Sequence, residues 1–304
     1  MLHVAAGVSI MIRTASLSLL LACATAAPPA PQQCPAPAAG LSLQEAQSIV
    51  HEFESRHLQK DASAPPPAAP QSLDDVLEIL RSDELDRFPA GVAFAAQQPG
   101  PEARALAAQI ELAWGEAELT LSQAFTQTAT ALQKALRTAP PGNDLRARLE
   151  TNRVVADALA RLAAEHTADG ARHAREVIAA APDNYQGYRV AADYYRMRER
   201  WEDFDAAVAK LTALNPGSNG LVFLRGVAAL DRDGDAPSAA KFFREALAKD
   251  PKFVRAQAQL MRAQPGLAGR HAELLKLKAL NPRHQLVVWA GPAIESAWQS
   301  REAN

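Results

Sequence analysis

Four prolines, Pro182, Pro216, Pro251 and Pro282, recur at intervals of 34, 35 and 31 residues. Each closes an apolar pattern of helical period, and a proline disfavours helical geometry at the residue before it, so Asn215, Asp250 and Asn281 are expected to end their helices. A period near 34 residues is the length of a helix-turn-helix unit that cannot bury its apolar face alone and completes its core on the next unit. The second half of the chain is thereby constrained to an array of helix pairs.

Composition points the same way. Of the 304 residues, 48% are hydrophobic, and alanine carries much of that share while β-branched and aromatic residues are sparse, which favours close-packed helices over sheets. The expected fold class is all-α. Before the array, Ser42-Leu-Gln-Glu45 is a capping box that opens a helix to about Lys60, with Ala46, Ile49, Val50 and Phe53 on one face. Prolines between residues 63 and 71 end it, and Ser72-Leu-Asp-Asp75 opens a second helix running to Leu85. Phe88-Pro89-Ala90-Gly91 and Gln98-Pro99-Gly100-Pro101 read as breaks. The apolar spacing from Glu102 to Thr138 reads as one helix pair. Asp144 to about Glu165 with Gly170 to Ala180 reads as another, both being degenerate repeats.

Inside the array, residues 185 to 218 present Tyr188-x2-Ala191-Ala192-x2-Tyr195, then Phe204-x3-Val208, Leu211 and Pro216. The next unit presents Val222-x2-Arg225-Gly226, then Ala239-x3-Phe243, Ala246-Leu247 and Asp250-Pro251, with one residue inserted in the turn Asp231-Arg-Asp-Gly-Asp235. The third, Val254 to Pro282, keeps Leu260, Leu274, Leu277 and Leu280 and is shortened around Pro265-Gly266. This pattern resembles the tetratricopeptide repeat, W-x2-L-G-x2-Y, then A-x3-F, then P. Phe204 stands where alanine is usual, which implies a wider gap between its two helices. The resemblance covers about residues 181 to 283, extends loosely over 101 to 180 and is absent earlier. It implies a tetratricopeptide-like helical-hairpin solenoid with a C-terminal capping helix, Gln285 to Trp298, on which Trp289 and Trp298 pack back against the last repeat.

In that family the first helix of each pair faces the ligand. The corresponding residues are Gln186, Arg189, Asp193, Arg196 and Met197 in the first unit and Arg255, Ala258 and Arg262 in the third. Guanidinium groups suit carboxylates or phosphates. The resemblance therefore implies a noncatalytic adaptor for a protein or peptide partner. No cofactor, metal or nucleic acid is expected.

The first residues read as targeting. Met11-Ile-Arg precedes an apolar run from Thr14 to Ala22, and Leu20-Leu21-Ala22-Cys23 resembles a bacterial lipobox with Cys23 as the lipidated residue. Ala24-Thr25-Ala26 is a competing site for ordinary signal-peptide cleavage, and Met11 offers a second start. The expected organisation is a signal peptide over 1–26, a Pro/Ala-rich tether over 27–41 and short helices with a Pro-rich linker over 42–100. Degenerate repeats follow over 101–180, clear repeats over 181–283, and a capping helix with tail over 284–304. The location implied is an outer-membrane lipoprotein facing the periplasm, held by its N-terminal lipid, or else a soluble periplasmic or secreted protein. Cys34 has no partner in the lipoprotein reading.

The net charge of -2 is unevenly spread. Residues 1–151 hold 10 Lys+Arg against 16 Asp+Glu, and residues 152–304 hold 22 against 18. Within the latter, Lys241 to Arg283 carries 10 basic residues against Glu245, Asp250 and Glu273, a basic surface that offers an alternative function in binding an anionic polymer or lipid headgroup. A second alternative is an enzyme whose site is assembled within residues 41–180, around His51 or His57. No nucleophile elbow, phosphate loop, dinucleotide fingerprint or H-E-x-x-H occurs. Asp231, Asp233 and Asp235 lack the glycine and glutamate spacing of a calcium loop and read as a turn. His166 and His173 read as surface residues.

Overall fold

The structure is a computed structural model that describes residues 41–57, 68–138 and 144–302. The residues read as a signal peptide and tether up to 40, with Cys23 and Cys34, and residues 58–67, on which the expected end of the first helix and part of the expected linker fall, lie outside the described residues. The chain is all-α: twelve α-helices and no strand occur among the described residues. They are α1 (Leu43–His57), α2 (Leu73–Ser82), α3 (Phe88–Gln97), α4 (Pro101–Ala135), α5 (Leu145–Ala180) and α6 (Tyr185–Met197). Then come α7 (Trp201–Leu214), α8 (Asn219–Asp231), α9 (Ala236–Lys249), α10 (Val254–Arg262), α11 (Leu267–Leu280) and α12 (Gly291–Glu302). A 3-10 turn, Leu85–Arg87, precedes α3, and a π turn, Leu286–Ala290, precedes α12.

Two compact units share these helices. The first combines α1 with α4 from Gly115 onward and with α5 up to Glu165. Ala46, Ala158 and Leu162 form one core there, and Ala129, Leu132, Leu145 and Leu149 another. Phe53 meets Phe125 edge to face with centroids 5.1 Å apart, and the buried Ser122 hydroxyl donates to the Ala156 carbonyl at 2.8 Å.

The second unit, residues 68–114 and 166 onward, holds the array. Helices α6 and α7, α8 and α9, and α10 and α11 pack in pairs, each pair touching the next, and α12 packs on α11. The expected helix ends are found. Asn215, Asp250 and Asn281 leave helical geometry with φ of -149°, -142° and -145°, and each backbone N–H donates to the carbonyl four residues back. Gly234 takes φ +64° in the turn that carries the extra residue of the second unit. The third unit is short because α10 has 9 residues where α6 and α8 have 13. Phe204 is accommodated by small neighbours, sharing its core with Ala191, Ala192 and Ala207. Trp298 stacks on His271 of α11 at 4.9 Å.

Three expectations are corrected. Pro89 does not break the chain, because it sits in the first turn of α3, where its missing N–H has no helical partner to lose. The segment read as one helix pair from Glu102 is a single 35-residue helix, and the pair read from Asp144 is a single 36-residue helix. Apolar spacing runs unbroken through both, and Gly170 serves close packing instead of a turn: a Cβ there would lie 2.8 Å from Leu112 Cγ.

Helices α2 and α3 are tied into the second unit at two ends. Val76, Ile79 and Leu80 share a core with Phe88 and Ala95 of α3 and with Ala107, Ile110 and Ala113 of α4. At its other side α2 packs on α10. Arg81 grips Asp250 with two bonds, Nε to Oδ2 at 3.0 Å and Nη2 to Oδ1 at 2.7 Å. The Asn281 amide donates to the Ser82 and Asp83 carbonyls at 2.9 and 3.1 Å.

Candidate functional site

Helical spacing brings Arg189, Asp193 and Arg196 to one side of α6, and pairing of the repeats sets Asp231 at the end of α8 and Arg255 and Arg262 on α10 beside them. Asp193, 8% exposed, is the hub. Arg196 meets its Oδ1 through Nε at 3.0 Å and Nη2 at 2.9 Å, and Arg255 Nη2 approaches Oδ2 at 3.4 Å. Asp231 is shared by Arg196 at 3.4 Å and Arg262 at 3.5 Å. Arg262 also donates to Gln259 Oε1 at 2.6 Å. Arg255 lies over the Phe223 ring, 5.3 Å from its centroid.

Electrostatics follow from burial and pairing. Burial resists ionisation of Asp193, but Arg196 and Arg255 outweigh it and hold the carboxyl at about 2. Burial likewise pulls Arg189 down to about 10, with Arg255 adding to the effect and Asp193 opposing it. Arg189 donates to the Gln109 amide oxygen, and Gln109 donates to Gln186 at 3.2 Å. No carboxylate among the described residues hydrogen-bonds Arg189.

A cavity of about 250 Å³ lies against this cluster. Its walls include Arg189 of α6, Asn219 and Gly220 of α8, and Phe253 and Arg255 at the start of α10. Leu77, Leu80 and Arg81 of α2 and the carboxylate residue Asp250 complete it. Gly220 makes room for Arg189: a Cβ there would come within 2.5 Å of the Arg189 Nε. Counting Arg81 and Asp250, the cavity and its adjoining cluster assemble five arginines (81, 189, 196, 255 and 262) and three aspartates (193, 231 and 250).

Of the residues singled out in the sequence, Arg189, Asp193, Arg196, Arg255 and Arg262 are therefore brought together. Met197 is not, since it packs on the core of Ala108, Leu112, Ala174 and Val190. Of the ten basic residues from Lys241 to Arg283, Lys241, Arg244 and Lys252 are exposed and the other seven are buried or paired. Arg255 and Arg270 are buried, while Lys249, Arg262, Lys276, Lys278 and Arg283 each meet a carboxylate. His51 is exposed. His166 is no surface residue: it stacks on Trp114 at 3.9 Å, and its Nδ1 lies 2.5 Å from Glu111. The turn carboxylates serve structure, Asp235 capping α9 through the Ser238 N–H at 3.0 Å.

Sequence reasoning missed Gln109, Asn219, Arg81 and the whole α2 wall. Asn219 and Gly220 open the first helix of a recognised pair, so their position was readable, but α2 reaches the array through contacts across 169 residues for which no local pattern exists. No family model matches the chain, and no curated protein matches it. No helix among the described residues is long and apolar enough to cross a membrane.

Proposed function

We propose that this chain is a tetratricopeptide-type adaptor that binds an acidic or carboxylate-bearing peptide along the first helices of its repeats. The observation that carries the reading is the excess of arginine over aspartate around a cavity on α6, α8 and α10. Buried cations in low dielectric gain most from an added anion that completes their pairing. The helix-pair register and the proline-closed units support the family assignment, and the lipobox-like Leu20 to Cys23 supports an envelope lipoprotein facing the periplasm with Cys23 lipidated.

Random-peptide display on the full chain tests the binding reading. Enrichment of acidic peptides that fall away with added salt and on Arg189→Gln is expected. Absence of any enrichment over the Arg189→Gln protein would overturn it. Membrane fractionation tests the location: Cys23→Ser should move the protein to the soluble fraction, and an unchanged distribution would remove the lipid anchor.

A further inference from the structure

Among the described residues of the first unit, one face of the α4 and α5 pair is uncovered. On α5, Ala158 and Leu162 pack against Ala46 of α1. Around the helix from that contact lie Arg146, Glu150, Arg153, Val154 and Asp157, all exposed and all on one stripe at helical spacing. Val154 is 46% exposed, so the stripe has an apolar member. Its charges alternate in sign from turn to turn. The two inner ones pair on their own helix, Arg153 Nη1 with Glu150 Oε1 at 3.3 Å. The two outer ones do not: Arg146 and Asp157 have no hydrogen-bond or ion-pair partner among the described residues. They lie about three turns apart on one face, about 16 Å along the helix axis.

Beside the stripe, a groove of about 350 Å³ runs between α4 and α5. Its free charge is negative and its hydroxyls can only accept. Thr126 and Thr130 donate their hydroxyl protons to the Ser122 and Thr126 carbonyls at 2.9 and 3.0 Å, which leaves only oxygen lone pairs to offer. Arg153 also lines the groove but is held by Glu150 and by Gln133 Oε1, the latter at 3.3 Å from Nη2. The unpaired Asp157 carboxylate is part of the same lining. A guanidinium, which only donates, answers such a lining.

A second copy of the chain brings that cation in register. With α5 laid antiparallel on α5, a two-fold axis between Thr151 and Asn152 sets Arg146 of each copy opposite Asp157 of the other, and Glu150 opposite Arg153. One register therefore meets every charge of the stripe with its opposite. Small cations in solution answer the groove alone, whereas the copy answers groove and stripe together.

We propose that this face of α4 and α5 is an isologous interface for a second copy of the chain, with Arg146 of each copy seated in the groove of the other on Asp157 and Val154 adding apolar contact near the axis. The inference is independent of the peptide-binding reading, which concerns the second unit alone.

Sedimentation velocity on the full chain tests it, in reducing buffer so that Cys23 and Cys34 cannot bridge copies. The wild type should form a dimer whose share rises with concentration between about 1 and 100 μM and falls with added salt. Arg146→Asp and Asp157→Arg should each weaken dimerisation by about ten-fold or more, because each substitution sets like charges together twice in a two-fold dimer. The two variants mixed should dimerise with each other about as well as the wild type does with itself, since every contact is again between opposite charges. Both positions are exposed and unpaired, so circular dichroism should show the fold intact in each variant. Arg146→Gln and Asp157→Asn, which remove charge without reversing it, should give the same loss at smaller amplitude. A wild type that stays monomeric throughout, a dimer indifferent to either reversal, or mixed variants that fail to recover it each overturn the proposal.

Discussion

Gly226 lies in α8 with its missing side chain filled by a neighbour. A Cβ there would meet Phe243 Cε1 at 2.6 Å and Phe242 Cβ at 3.1 Å. Alanine would gain about 1 kcal/mol of helix propensity, but overpacking costs about 1–3 kcal/mol and Phe243 is fully buried, with no exposed position to swing into. The crowding should win, so Gly226→Ala is expected to lower stability by about 1 kcal/mol, read as a reduced urea midpoint with an unchanged slope. Asp193 provides a pH test. Its folded value, about 2, lies below the unfolded one, so its contribution is full above about pH 4 and is lost as pH falls through the folded value. Wild type should lose about 2 kcal/mol on this account between about pH 5 and 2. Asp193→Asn should start about 3–5 kcal/mol lower at neutral pH, because Arg196 and Arg255 lose this buried carboxylate, and should lack that part of the acid dependence. Parallel denaturation curves for the two proteins across this range would contradict the assignment.

Among the elements, α2 combines strong local signals with an unreadable destination. Ser72 and Asp75 form a capping box at the helix start that the sequence announces, and Val76, Ile79 and Leu80 make one buried face. What that face meets was not readable, because α4 and α10 are far apart in the chain and a helical stripe does not name its partner. The same holds for α4 and α5, whose spacing showed helix but not continuity; a repeat period imposed on them suggested turns that the backbone does not make. The array itself was legible because each unit carries its own stop in the residue before proline. Arg189, Asp193, Arg196, Arg255 and Arg262 were legible through that register, while Arg81, Gln109 and Asn219 belong to the site through tertiary contact. The relative weight of apolar and ionic ties on α2 can be measured. Ile79→Ala should cost about 2–5 kcal/mol as a core cavity. Arg81→Ala should cost about 1 kcal/mol, because the Arg81 side chain is 37% exposed and solvent screens the pair with Asp250. A larger loss for Arg81→Ala than for Ile79→Ala would reverse this ordering.

At the scale of the second unit, the third helix-ending residue makes a tie that spans 199 residues of chain. Asn281, 5% exposed, donates both to Ser82 and to Asp83, and His284 Nε2 lies 3.1 Å from the Asp83 carboxylate. His284 Nδ1 accepts the Leu286 N–H at 3.1 Å, leaving Nε2 as the donor to Asp83. Asn281→Ala would strand two carbonyls and should cost about 1–3 kcal/mol. Hydrogen exchange should show the loss at α2 and at α11 together; faster exchange at α11 alone would mean that the two ends are not one cooperative body. The bond from Asn281 to Ser82 spans 199 residues of chain. At synthesis rates of about 5–20 residues per second, Ser82 is made roughly 10–40 s before the residue that satisfies it. The α10-facing side of α2 must wait through most of that interval with its partner unmade. Closure of the second unit is accordingly a late event in its biogenesis, timed by the length of the array between the two ends.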